Sequence, residues 1–135
     1  MILLDTSVLS LAYRRKYRTH EDQPREVLIL QRMVATHKPV AIPGIVFQEF
    51  LSGLREQNQF QQLQQIVASF PIILATQSHH LEAANLANIC RHAGVTTSAT
   101  DCLIAAITIE RQAQLFTTDQ DFVNIASHCS LRLLK

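Results

Sequence analysis

The chain has 135 residues, 47% of them hydrophobic, which suits one domain with a real core and argues against disorder. Lys and Arg number 12 against 11 Asp and Glu, so the net charge of +1 excludes a mainly electrostatic nucleic-acid binder but leaves room for local patches. Three cysteines with no Cys-x-x-Cys pair and no metal spacing read as reduced thiols of a cytoplasmic protein without a signal peptide, and no apolar run approaches the ~20 residues of a membrane span.

In chain order, ILLD at residues 2–5 is a short apolar run ending in an acid, the mark of a buried strand. Arg14, Arg15, Lys16 and Arg18 follow, interleaved with Tyr13 and Tyr17. They form either a solvated loop or an RNA-contacting patch. Residues 24–37 predict a helix, with Pro24 suited to its first turn. Val40-Ala41-Ile42 predicts a strand closed by Pro43. Residues 45–54 predict a helix with Val46, Phe47, Phe50, Leu51 and Leu54 on one face. The Gln-rich stretch after it places Phe60, Leu63, Ile66 and Val67 at helical spacing, so a helix is expected over 58–69.

A strand is expected over 72–74. The helix expected over 79–93 turns Leu81, Ala84, Leu86, Ile89 and Cys90 mostly inward and stops at Gly94. His79-His80, at its start, reads as surface. Residues 99–112 predict the most apolar helix, with Cys102 as a small buried hydrophobe. Leu115-Phe116-Thr117 predicts a strand, Asp119 precedes a short helical turn, and residues 131–134 close the chain as a last strand. Short, uniformly apolar strands alternate with helices. That pattern indicates an α/β three-layer sandwich, with a short central parallel sheet of four to five strands flanked by helices, in a single domain spanning 1–135.

In such sheets function collects beyond the carboxyl ends of the strands. Asp5 ends the first strand; Thr117-Thr118-Asp119 ends a later one, with Asp121 just beyond. Asp101 opens the most apolar helix, and Glu49 lies in the first turns of the helix after residues 40–42. Each acid has a plain structural alternative. Asp5 suits a helix N-cap, Ser98 and Asp101 fit a capping box, Glu49 falls on the polar side of its helix, and Asp119 suits a cap. Together, however, they would converge on one sheet edge. Crowded carboxylates repel and desolvate one another and so need a cation. An all-oxygen donor set without thiol or imidazole favours Mg²⁺ or Mn²⁺ over zinc. The chemistry natural to such a site is phosphodiester hydrolysis.

The four segments LLDTSVL, VFQEFLSGL, TDCLIAA and LFTTDQDF resemble the acidic motifs of the PIN-domain nucleases, most closely the VapC-type toxins of toxin–antitoxin pairs. The resemblance runs over nearly the whole chain with all motifs in order. It implies an acidic site of Asp5, Glu49, Asp101 and Asp119. Asp5 and Asp101 would be the main metal ligands, Glu49 would serve a second ion or activate water, and Asp121 would share or replace the role of Asp119. Thr6 and Thr117 would supply hydroxyls near the site, Thr117 orienting Asp5 or a metal-bound water. The resemblance further implies Mg²⁺- or Mn²⁺-dependent cleavage of RNA, often tRNA or ribosomal RNA. It also implies a homodimer and a small antitoxin that fills the acidic groove, with RNA held by patches such as Arg14, Arg15, Lys16 and Arg18.

Other classes fit less well. A haloacid-dehalogenase-type phosphatase needs an Asp two residues after the first, where Ser7 stands. A receiver domain needs an Asp at the end of its third strand, and IILATQ has none. A catalytically silent module that keeps the acids and acts through complex formation remains the alternative from outside enzymology.

Overall fold

The computed structural model describes residues 1–135. Five parallel strands form the sheet: β1 (Ile2–Leu4), β2 (Val40–Pro43), β3 (Ile72–Ile73), β4 (Gln114–Phe116) and β5 (Arg132–Leu133), in the order β3-β2-β1-β4-β5. Two of the three residues of β1 and of β4, and all four of β2, are buried, which is why these runs are apolar without alternation. The edge strands β3 and β5 have only two residues each, so little unpaired backbone is presented to other chains.

Seven α-helices cover the sheet: α1 (Thr6–Leu9), α2 (Arg25–Ala35), α3 (Gly44–Leu51), α4 (Gln57–Ala68), α5 (Gln77–His92), α6 (Ala99–Glu110) and α7 (Gln120–Ala126). The chain steps from β1 outward to β2 and β3, then crosses back past β2 and β1 to β4 and on to β5. With right-handed crossovers, α1 to α4 lie on one face and α5 to α7 on the other. α5 packs on α6 and α6 on α7, as this requires. One cluster of 30 buried residues joins the layers, and α6 lies in it from Cys102 to Ile107, with Thr108 also buried. The expected three-layer parallel architecture is therefore present, and no helix is long and apolar enough to cross a membrane.

Several local expectations need correction. The segment after Asp5 is helical: α1 runs straight into a π-helical turn over Ser10–Arg14, with Val8 and Leu9 fully buried and Ala12 and Tyr13 packed on the core. α3 stops at Leu51, three residues before the expected end. Ser52 leaves helical geometry and Gly53 takes a φ of +86°, although Leu54 still packs on the core. α5 ends where Gly94 predicts. That glycine adopts a φ of +78°, and the Gly94 and Val95 amides donate to the carbonyls of Arg91 and Cys90.

α5 is rotated from its expected orientation. Its buried row is His79, Ala83, Leu86 and Cys90, while Leu81, Ala84 and Ile89 face outward. His79 opens this buried row. It is 3% exposed and completes a reciprocal cap: its amide donates to Thr76 Oγ1 (3.3 Å), and the Thr76 amide donates to His79 Nδ1 (2.9 Å). Nδ1 is therefore the acceptor, so the ring proton sits on Nε2, which faces Glu110 Oε2 at 3.1 Å. His80 alone is the surface residue expected of the pair.

Candidate metal centre

The order reversal of the sheet falls between β1 and β4, where two neighbouring strands send their connections to opposite faces. A crevice opens beyond the carboxyl ends of such a pair. β1 delivers Asp5 there and β4 delivers Thr117 to Asp119; the Asp5 amide donates to the Phe116 carbonyl (3.0 Å), so the two strand ends stay in register.

Asp5 is buried at 5% exposure and stands at the N-cap position of α1, yet its side chain makes no capping bond. Its Oδ2 instead accepts two hydroxyls, from Ser7 Oγ and Thr117 Oγ1, each at 2.8 Å. Oδ1 has no protein donor, and it is not a sealed, unsatisfied atom, so it keeps some access to solvent. The hydroxyls are in turn fixed from behind. Ser7 Oγ accepts from the Thr118 amide and Thr117 Oγ1 from the Asp119 amide, both at 3.0 Å. Thr117 thus holds one oxygen of Asp5. Ser7 does the same, although its residue type alone does not mark it as a site residue. The signal it offers is its place two residues beyond the acid in the first turn of a helix.

Asp101, Asp119 and Asp121 come together, with one carboxylate oxygen from each within 4.8 Å of the others. Asp101 is held in the first turn of α6, where Ser98 Oγ accepts its amide (3.0 Å); the return bond of a full capping box, from the Ser98 amide to the carboxylate, is absent. Asp119 does cap α7, its Oδ1 accepting the Asp121 amide at 2.9 Å, which leaves its second oxygen for other partners. Burial, opposed by the Ser98 hydroxyl and reinforced by the charges of Asp119, Asp5 and Asp121, pushes the Asp101 carboxyl up to about 6. The four aspartates therefore sense one another.

Glu49 is exposed on α3 and stands outside the group of three. Thr6 Oγ1 donates to its Oε1 at 3.0 Å, which ties α3 to the residue after Asp5. Arg14, Arg15, Lys16 and Arg18 are exposed, and none is paired with an acid. Tyr17 pins their loop by donating to the Leu11 carbonyl at 2.7 Å.

The donor set is all oxygen, carries excess negative charge and leaves ligand atoms free, which fits a hard divalent cation. Metal-free, the raised pKa of Asp101 means that the folded state favours its protonated form. That contribution to stability is full below the ordinary value of 3.8 and is lost as pH rises through about 6. Thermal melts in EDTA between pH 4 and 7 should therefore show wild type losing stability relative to Asp101→Asn as pH rises. Saturating Mn²⁺ should abolish that relative loss, and parallel profiles in EDTA would contradict it.

The PIN domain family model matches residues 2–127. The chain is 30% identical to the VapC ribonuclease Mb1587 of Mycobacterium bovis and to ribonuclease VapC11 of Mycobacterium tuberculosis, over 98% of this chain and 96% of each relative. Among solved structures it is similar to FitAcB of Neisseria gonorrhoeae, with a TM-score of 0.78 at 20% identity, covering 100% of this chain and 97% of that one. It is also similar to VapBC2 of Rickettsia felis bound to a promoter DNA fragment, with a TM-score of 0.76 at 22% identity, covering 99% and 98%. At those identities the structures speak for the fold. With the family match and the full-length relatives, they place the chain in the PIN-domain family, alongside the VapC ribonucleases.

Proposed function

We propose that this chain is a divalent-metal-dependent endoribonuclease acting as the toxin of a toxin–antitoxin pair. The observation that carries the reading is the Asp5 carboxylate, buried at the sheet's switch point with one oxygen clamped by two hydroxyls and the other free. A structural cap would not be built that way. The full-length VapC ribonuclease relatives supply the substrate class.

Asp5, Asp101 and Asp119 would hold the ion, Mg²⁺ or Mn²⁺, with Asp121 beside them. When bound, the ion supplies positive charge against the phosphate oxygens and a water of lowered pKa. Glu49, steadied by Thr6, is the carboxylate left to accept a proton from the attacking water. Thr117 keeps Asp5 oriented through the reaction. Arg14, Arg15, Lys16 and Arg18 are free to bind phosphates of the RNA away from the cut. The exposed Leu74, Leu81 and Ile89 support a face for a second copy of the chain, and the VapBC assemblies among its structural relatives support a small antitoxin as partner.

Purified protein should cleave total RNA at discrete positions with Mg²⁺ or Mn²⁺ and not with EDTA. Asp5→Asn can offer its carbonyl oxygen to the two hydroxyls and turn its amide toward the ion. The fold should then survive while cleavage falls at least about 100-fold, roughly 2.7 kcal/mol of barrier. Cleavage equal to wild type in this variant would contradict the assignment.

The basic loop has its own readout. In an Asp101→Asn background, Arg14→Ala with Arg15→Ala should weaken RNA binding and lower the slope of log affinity against log salt by about 1.4, the value for two single-strand phosphate contacts. An unchanged slope would remove the patch from the binding surface.

A further inference from the structure

We propose that Ser7 is a positioning residue for the acidic site, locking the Asp5 carboxylate and the Thr117–Asp119 loop into one unit so that ion affinity depends on its hydroxyl. The proposal rests on the metal-nuclease reading above and adds a hydroxyl residue to the acids that the four motifs contribute.

A serine hydroxyl has one hydrogen and two acceptor sites. Ser7 spends its hydrogen on Asp5 Oδ2 (2.8 Å) and accepts the Thr118 amide (3.0 Å). Thr117 spends its hydrogen on the same oxygen (2.8 Å) and accepts the Asp119 amide (3.0 Å). With both hydrogens committed to the carboxylate, the 3.3 Å approach of the two hydroxyls is a packing contact rather than a third hydrogen bond.

The two hydroxyls are not interchangeable. Thr117 belongs to the loop whose amide it accepts, two residues away. Ser7 reaches that loop from α1, 111 residues away in sequence. Ser7 therefore joins the strand end that carries Asp5 to the strand end that carries Asp119. Without it, Thr117 still holds Oδ2, but the carboxylate can swing about a single donor and the free Oδ1 is no longer fixed. The fold loses little: Thr118 is exposed, so water can take its amide, and the β1–β4 pairing is unaffected.

Groups that orient metal ligands in this way typically govern affinity by about 10- to 100-fold. The test is calorimetric titration with Mn²⁺ of wild type, Ser7→Thr, Ser7→Val, Ser7→Ala and, as the ligand control, Asp101→Asn, with melts of each in EDTA. Thr and Val have the same shape and differ only in the hydroxyl. Ser7→Thr should bind Mn²⁺ within about threefold of wild type, while Ser7→Val and Ser7→Ala bind about 10- to 100-fold more weakly with EDTA melting points close to that of Ser7→Thr. At saturating Mn²⁺ the KM for RNA should stay unchanged across wild type and the three Ser7 variants. Equal Mn²⁺ affinity for Ser7→Thr and Ser7→Val would overturn the role of the hydroxyl, as would Ser7→Val falling only in step with a lower melting point. Wild type that binds no Mn²⁺, or that binds it no better than Asp101→Asn, would instead overturn the underlying metal reading.

Discussion

The repulsion among carboxylates at one sheet edge is the constraint around which the molecule is arranged. Asp101 bears its mark in a carboxyl pushed up to about 6 by burial and by the charges of three other aspartates. A chain holds such a group together only if each acid is fixed by something other than its acidic neighbours. Here Asp5 is fixed by two hydroxyls, Asp101 by the first turn of α6, Asp119 by its cap on α7, and Glu49 by Thr6. The sheet supplies the rigidity beneath them, because β1 and β4 are central, parallel and joined at the point where Asp5 leaves the sheet.

That arrangement separates what the acids do for the fold from what they do for chemistry. Asp119 divides its two oxygens between a cap and the crevice, and Asp5 divides its own between the clamp and the crevice. The free oxygens, not the whole side chains, make the site. The basic residues from Arg14 to Arg18, at and after the end of the π-helical turn, form no ion pair with these acids. Near-zero net charge is thus compatible with separate acidic and basic patches on one surface.

Much of this was legible in the sequence because it depends on uniform signals. Continuous apolar strands at 2–4, 40–42 and 115–116 gave the parallel sheet, and acids at strand ends and helix starts gave the edge on which they meet. What escaped depends on local competition. The helix after Asp5 has only four α-residues before it widens into a π turn, and the basic run that follows reads as loop. His79 reads as surface because histidine is polar, but its ring closes a reciprocal cap and pairs with Glu110, so the interior accepts it. In the same helix Leu81 and Ile89 point outward, against the orientation their hydrophobicity suggests. Ser7 carried no chemical signature of its own, since its role exists only through a loop 111 residues away.

The most direct test of the metal site is diffraction at the manganese absorption edge from crystals of the protein soaked in Mn²⁺. The account predicts an anomalous peak at roughly 2 Å from carboxylate oxygens of Asp5, Asp101 and Asp119, with Asp5 contributing Oδ1 and keeping Oδ2 on Ser7 and Thr117. A peak held elsewhere, or none at saturating Mn²⁺, would contradict it and return these acids to a structural role.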